Sequence, residues 1–222
     1  MYTYNLDSRK MVMVGDKLIM PIVSEHIKCN GYEINNSEGF WENSANFMSI
    51  DVNESRAESI FGKYPPIYSK SNIPIFSNYS FDKFNDSDII ISYAADSLIY
   101  VRDDSGELKY SFGYDSGIID SEYTQTKSFD EYQEKYKKEL RKKSYFTYLK
   151  AVGDYVIRGY KTRGENGGYG FQIYKDNDLI GKVDSPEEIM VLGASGGYIY
   201  ATLPADLENN NFRIVKICLR NF

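Results

Sequence analysis

The chain has 222 residues, with 21 tyrosines and 12 phenylalanines against one tryptophan, and a net charge of −6 at a pI near 5.0. That length suits one large domain or two small ones, with a real core, and the aromatic excess favours half-buried pleated sheet. The acidic balance gives no electrostatic reason to seek nucleic acid or anionic lipid, and no run of about 18 apolar residues is present to span a membrane as a helix.

The opening stretch, Met1 to Asp7, has neither a basic n-region nor an apolar h-region, so no signal peptide is expected in this chain. A cytoplasmic protein, a processed one and a piece of something longer all fit that start. Tyr2 to Leu6 reads as a strand. Met11 to Val14 and Leu18 to Val23 form a hairpin across Gly15-Asp16. Ser24 to Asn46 is a long irregular excursion that carries the only histidine, His26, the only tryptophan, Trp41, and Cys29. Phe47 to Val52 and Ser59 to Phe61 are short strands. Tyr64-Pro65-Pro66-Ile67-Tyr68 is expected to be rigid and extended, because each proline fixes its own φ and restrains its predecessor. It leads into a polar connection, Ser69 to Asp88.

Ile89 to Tyr93, Leu98 to Val101 and Leu108 to Phe112 are the next strands, the last two joined by the Asp103-Asp104-Ser105-Gly106 turn. Then the β pattern breaks. Ser128 and Glu131 form a capping box, and Phe129, Tyr132, Tyr136 and Leu140 share one helical face. A helix near 128–143 is therefore expected as an insertion on a β scaffold. After it, Phe146 to Val152, Tyr155 to Tyr160, Tyr169 to Tyr174, Leu179 to Val183, Ile189 to Leu192, Tyr198 to Leu203 and Phe212 to Leu219 complete the strands.

One word recurs through this order. Val14-Gly15-Asp16-Lys17-Leu18 and Val152-Gly153-Asp154-Tyr155-Val156 are near copies, Ala94-Ala95-Asp96-Ser97-Leu98 is looser, and Ala194-Ser195-Gly196-Gly197-Tyr198 is looser still. A recurring hairpin means a repeat architecture. Asp16, Asp96, Asp154 and Gly196 lie 80, 58 and 42 residues apart, and the shortest interval fits one propeller blade of about 40–50 residues. The longer intervals contain the Ser24 to Asn46 excursion, the Ser69 to Asp88 connection and the helix. The fold expected is all-β: a single propeller-like domain over 1–222, closed or partial, of about four antiparallel blades. The last unit is one strand short of a four-stranded blade. Either Tyr2 to Leu6 completes it to close a ring, or the chain is the C-terminal part of a larger propeller, which is the reading preferred.

The words Asp96-Ser97-Leu98-Ile99-Tyr100-Val101-Arg102-Asp103 and Gly196-Gly197-Tyr198-Ile199-Tyr200-Ala201 resemble the strands of TolB-like and related uncharacterised six-bladed propeller lipoproteins of Gram-negative bacteria. The resemblance implies a periplasmic or cell-envelope propeller with a recognition role. It carries over no catalytic residue.

Candidate sites follow. His26 is the only histidine, so no multi-histidine metal site is possible, and with Cys29 it offers two ligands where structural zinc takes four. Cys29 and Cys218 are read as buried thiols, with a disulfide as the alternative. The Asp103 loop lacks the glutamate that a calcium loop needs at its twelfth position, where Tyr114 stands. Gly167, Gly168 and Gly170 do not make a nucleotide fingerprint. No cofactor or metal is expected. Trp41 and Phe40 are the expected ligand-binding pair, with a cover over the first sheet's edge as the competing role. On the helix, Lys138, Arg141 and Lys142 form an expected docking patch for an acidic partner, against a merely solvated face. The function expected is non-catalytic binding of a protein, peptide or glycan. A polysaccharide hydrolase with paired carboxylates and a structural subunit of a larger complex are the alternatives.

Overall fold

The computed structural model describes residues 2–5, 10–24, 39–71, 73–114, 117–120, 122–164, 166–204 and 213–218. The first sheet holds β1 (Tyr2–Tyr4), β2 (Val12–Val14), β3 (Lys17–Ser24), β4 (Ala45–Asp51) and β5 (Arg56–Lys63). The second holds β6 (Tyr79–Lys83), β7 (Asp88–Tyr93), β8 (Ile99–Asp103) and β9 (Leu108–Phe112). The third holds β10 (Tyr145–Val152), β11 (Tyr155–Lys161), β12 (Tyr169–Lys175) and β13 (Asp178–Ser185). The fourth holds β14 (Met190–Ser195), β15 (Tyr198–Thr202) and β16 (Ile214–Cys218). Every pairing is antiparallel between neighbours in sequence, apart from β1, which joins β3 end to end with β2. The helices are α1 (Phe40–Asn43), α2 (Pro66–Ser71) and α3 (Phe129–Lys142). This is an all-β, partial propeller-like fold.

The side-chain pattern explains why the sheets stack face to face. Asp88–Tyr93 is buried at every position. Successive side chains leave a strand on opposite faces. Ile89, Ile91 and Tyr93 therefore pack against the first sheet with Val14, Ile19, Phe47 and Phe61. Ile90 packs the other way with Leu149, Val156 and Tyr174 of the third sheet. β11 repeats the device: Val156 faces the second sheet, while Ile157 joins Val191, Ile199 and Ala201 of the fourth. A strand covered on both faces reads as an uninterrupted apolar run, which is the Ile-Ile-Ile word of this chain. The two end faces differ. Met13 and Ile60 of the first sheet, Met11 just before it, and Met190, Leu192 and Ile214 of the fourth are exposed.

Three expectations are corrected. The Ala94–Asp96 turn joins β7 to β8, so it is the second turn of its sheet, not the counterpart of Gly15-Asp16 and Gly153-Asp154. The counterpart is the Phe84 to Ser87 turn after β6, a strand hidden in the stretch read as connection. The strands that lead into the first tight turn of each sheet begin at Val12, Tyr79, Tyr145 and Met190, intervals of 67, 66 and 45 residues. The proline stretch is not extended: Pro66 opens α2, where its missing N–H and fixed φ are no handicap, and Pro74–Phe76 form a 3-10 turn. Finally, the ring-closing alternative is the one corrected, since β1 pairs with the first sheet and not with the fourth.

Candidate functional site

Because each sheet is a meander, its turns alternate between two ends. At one end lie the tight turns. Gly15 and Gly153 take φ of +56° and +59° at the first turn position, as a II′ hairpin requires. Gly196 and Gly197, and likewise Asp176 and Asn177, are both left-handed, the I′ pattern. The Cβ of a side chain at Gly15 would lie 3.9 Å from the Asp86 carbonyl, so the tight turns of the first two sheets adjoin. The long connections, including the one that carries α3, gather at the other end. Function tends to collect on such loops.

Trp41 sits in the one-turn helix α1 and is 3 % exposed. Its ring meets Tyr64 edge-on at 4.9 Å, Tyr68 at 5.6 Å and Phe40 at 5.0 Å. Tyr68 in turn donates to the Phe76 carbonyl and accepts from Ala95 N–H. Trp41 is thus buried among aromatic rings, and Phe40 lies half-buried beside it. His26 and Cys29 lie outside the described residues. Cys218 is a free, half-buried thiol.

α3 begins as its residues dictate. Ser128 Oγ accepts from Glu131 N–H at 3.2 Å. The Glu131 carboxylate reaches back to the Lys127 N–H at 2.6 Å, one residue earlier than a capping box has it. Lys135 pairs with Glu131, and that ion pair draws the Glu131 carboxyl below its ordinary range. Tyr132, Tyr136 and Leu140 pack against the core. Lys137, Lys138, Arg141 and Lys142 are exposed, and none of their side chains makes an ion pair among the described residues. The helix end is anchored from below: Lys161 Nζ donates to the Arg141 carbonyl and Gly164 N–H to the Lys142 carbonyl. The structure therefore groups Lys138, Arg141 and Lys142 on one face and places Trp41 and Phe40 elsewhere, against the Tyr64–Tyr68 segment.

Two further arrangements escaped the sequence reading. The first is a charged cleft of about 430 Å³ lined by Asp82, Lys83, Phe84, Asn85, Asp86, Lys150, Ala151 and Gly153. Asp82, 8 % exposed, accepts from Lys10 Nζ at 2.6 Å and from the Ala151 and Lys83 N–H groups at 3.0 Å. Burial pulls the Lys10 ammonium below its ordinary value, against the opposing pull of Asp82. The second is Arg158, fully buried on β11. Its Nε donates to Ser92 Oγ at 2.8 Å, and its terminal nitrogens donate to the carbonyls of Asp96, Ser97 and Leu98. Its guanidinium carbon stands 3.3 Å over the Phe146 ring. Burial brings its pKa down to about 10. The loose turn word at Ala94–Leu98 is thus the receiver for a cation from the next sheet. No signal in one sequence ties Arg158 to that turn, since the partners are backbone carbonyls about sixty residues away.

Comparison with known proteins adds a relative in fold. No family model matches the chain, and no curated protein matches it. Seven chains of solved structure do. One is a member of the DUF4221 family from Bacteroides vulgatus, similar at a TM-score of 0.69 and 14 % identity over 94 % of this chain. The chain spans 61 % of the length of that protein. A likeness at this identity is one of fold, and the fold it matches is the all-β arrangement described above.

Proposed function

We propose that the chain is a non-catalytic recognition module that holds a protein partner at the end of its sheets where the long connections gather. Its kinship with TolB-like propellers and its place in the cell envelope, which the turn words suggest, belong to this proposal. The observation that carries it is the outer face of α3. Four exposed cations, Lys137, Lys138, Arg141 and Lys142, stand unpaired among the described residues on a chain of net charge −6. An acidic segment of a partner can meet them without first breaking an internal ion pair, and such contacts steer association. The inward packing of Tyr132, Tyr136 and Leu140 leaves charge as the outward chemistry of the helix. Binding is favoured over carbohydrate hydrolysis because the two carboxylates of the charged cleft are each engaged by a lysine, Asp82 by Lys10 and Asp86 by Lys83.

The test is a fluorescence anisotropy titration with a labelled oligoglutamate peptide. Binding is expected to weaken steeply with salt, as contacts between exposed charges do. It should be lost when Lys138, Arg141 and Lys142 are all changed to Glu, with the melting temperature held. A variant that binds as well as the parent, or a parent that does not bind at low salt, overturns the reading.

A further inference from the structure

The cleft between the second and third sheets stands apart from α3. Lys83 reaches Asp86 at 2.9 Å. Lys10 is held by Asp82 at 2.6 Å and by the Phe81 carbonyl at 3.0 Å. Asp82 is also occupied by two backbone N–H groups. Lys150 remains, 3.8 Å from the Asp82 carboxylate and making no hydrogen bond to it. The lining thus holds two lysines and two carboxylates, and Lys10, which reaches Asp82 from outside the lining, leaves Lys150 the more loosely paired of the two lysines beside Asp82. The volume of about 430 Å³ lies in the about 300–1,000 Å³ range of small-ligand sites. Phe84 supplies a flat apolar wall. At Gly153 a side chain would meet nothing within 4 Å, so the mouth is open there.

We propose that this cleft binds a small carboxylate ligand, with Lys150 taking the carboxylate and Phe84 covering its apolar body. The Lys10–Asp82 pair and the Ala151 N–H hold Asp82 closely, so Lys150, which pairs with it only at 3.8 Å, is the lysine that can turn to the ligand. Asn85 is engaged with Asp88 at 2.9 Å and holds the turn rather than the ligand.

The experiment is calorimetric titration of the full chain with four probes. Two carry a carboxylate, digalacturonate and N-acetyl-Ala-Ala. Two are their neutral counterparts, galactobiose and N-acetyl-Ala-Ala-amide. At least one acid probe is expected to bind with a Kd of about 1 mM or tighter, and its neutral counterpart about tenfold or more weaker. Which acid binds separates a saccharide from a peptide terminus. Both binding alike means that the carboxylate alone is recognised. Lys150→Gln is expected to weaken the acid probe about tenfold with an unchanged melting temperature, and Lys150→Arg to keep most of the affinity. The variant with Lys138, Arg141 and Lys142 changed to Glu should bind the acid probe as the parent does, so this proposal and the α3 proposal fail separately. Absence of binding by both acid probes, equal binding of the neutral ones, or full affinity in Lys150→Gln overturns it.

Discussion

Arg158 is the largest fully buried side chain among the described residues. A guanidinium buried away from water is tolerated only when its donors are met. Here a serine hydroxyl and three carbonyls of one turn meet them, and Phe146 closes the open face of the plane. Lysine cannot present the same planar fork. Arg158→Ala would leave those carbonyls without a donor and a hole beneath Phe146. We expect it to lower stability by upwards of about 3 kcal/mol, read as a shift in urea midpoint. Trp41 is the second test at this scale. A ring at 3 % exposure amid Phe40, Tyr64 and Tyr68 is packing, so Trp41→Ala should cost roughly 3–5 kcal/mol. Near-parental stability with lost ligand binding would restore the anchor role. In the sequence Trp41 looked exposed because its neighbours Asn35 to Gly39 are polar. Its true partners stand more than twenty residues downstream, behind two strands, where no local pattern can show them.

Among the elements, α3 was fully legible and α2 was not. α3 has a cap, an amphipathic stripe and acids before bases, all of which act within one or two turns. Its Ser128 cap is testable: Ser128→Ala should cost about 1 kcal/mol and speed amide exchange at Glu131, while β7 amides keep their protection. Unchanged exchange at Glu131 would mean that the hydroxyl is not the cap. α2 was missed because Pro65-Pro66 signals equally an extended segment and a helix start. Packing chooses between them: Tyr68 on α2 is buried against Trp41, Tyr64 and Tyr93. β6 was missed for a related reason. Its word, Tyr-Ser-Phe-Asp-Lys, is half polar, and Asp82 becomes buried only because Lys10 and the β10 backbone reach it.

At the scale of the whole molecule, tyrosine sets the response to pH. Burial holds the Tyr68, Tyr79, Tyr93, Tyr148 and Tyr160 phenols well above their ordinary value, and that of Tyr145 rises to about 12. In the unfolded chain these groups ionise near pH 10. Between that value and the folded one, the native state holds more protons than the unfolded state, so stability falls as pH rises. The contribution is whole below about pH 10 and is lost above it. Arg158 works in the opposite sense, since its folded value is lowered, but it is one group against many. The urea midpoint should therefore drop between about pH 9 and 11, with the buried phenols' share of the tyrosinate absorbance appearing together with loss of sheet signal. Tyrosinate absorbance that reaches its full unfolded value while the sheet signal is intact would show that the buried phenols are accessible to solvent in the fold.

The sequence alone determined class and repetition. Turn chemistry at Gly15-Asp16, Gly153-Asp154 and Asp176-Asn177, the aromatic and β-branched runs between, and the capped helix at Ser128 are local facts. Local backbone preference is enough to read hairpins and one helix from them. The tertiary structure alone decided the phase of the repeat and the sites. Whether Ala94–Asp96 is the first or second turn of its sheet depends on β6, and β6 is fixed by its ladder to β7 and the packing of Phe81. Arg158, the Asp82 cleft and the burial of Trp41 each join residues far apart in the chain. Such partners are chosen by which faces the stacked sheets bring together, and a single sequence carries no record of that choice.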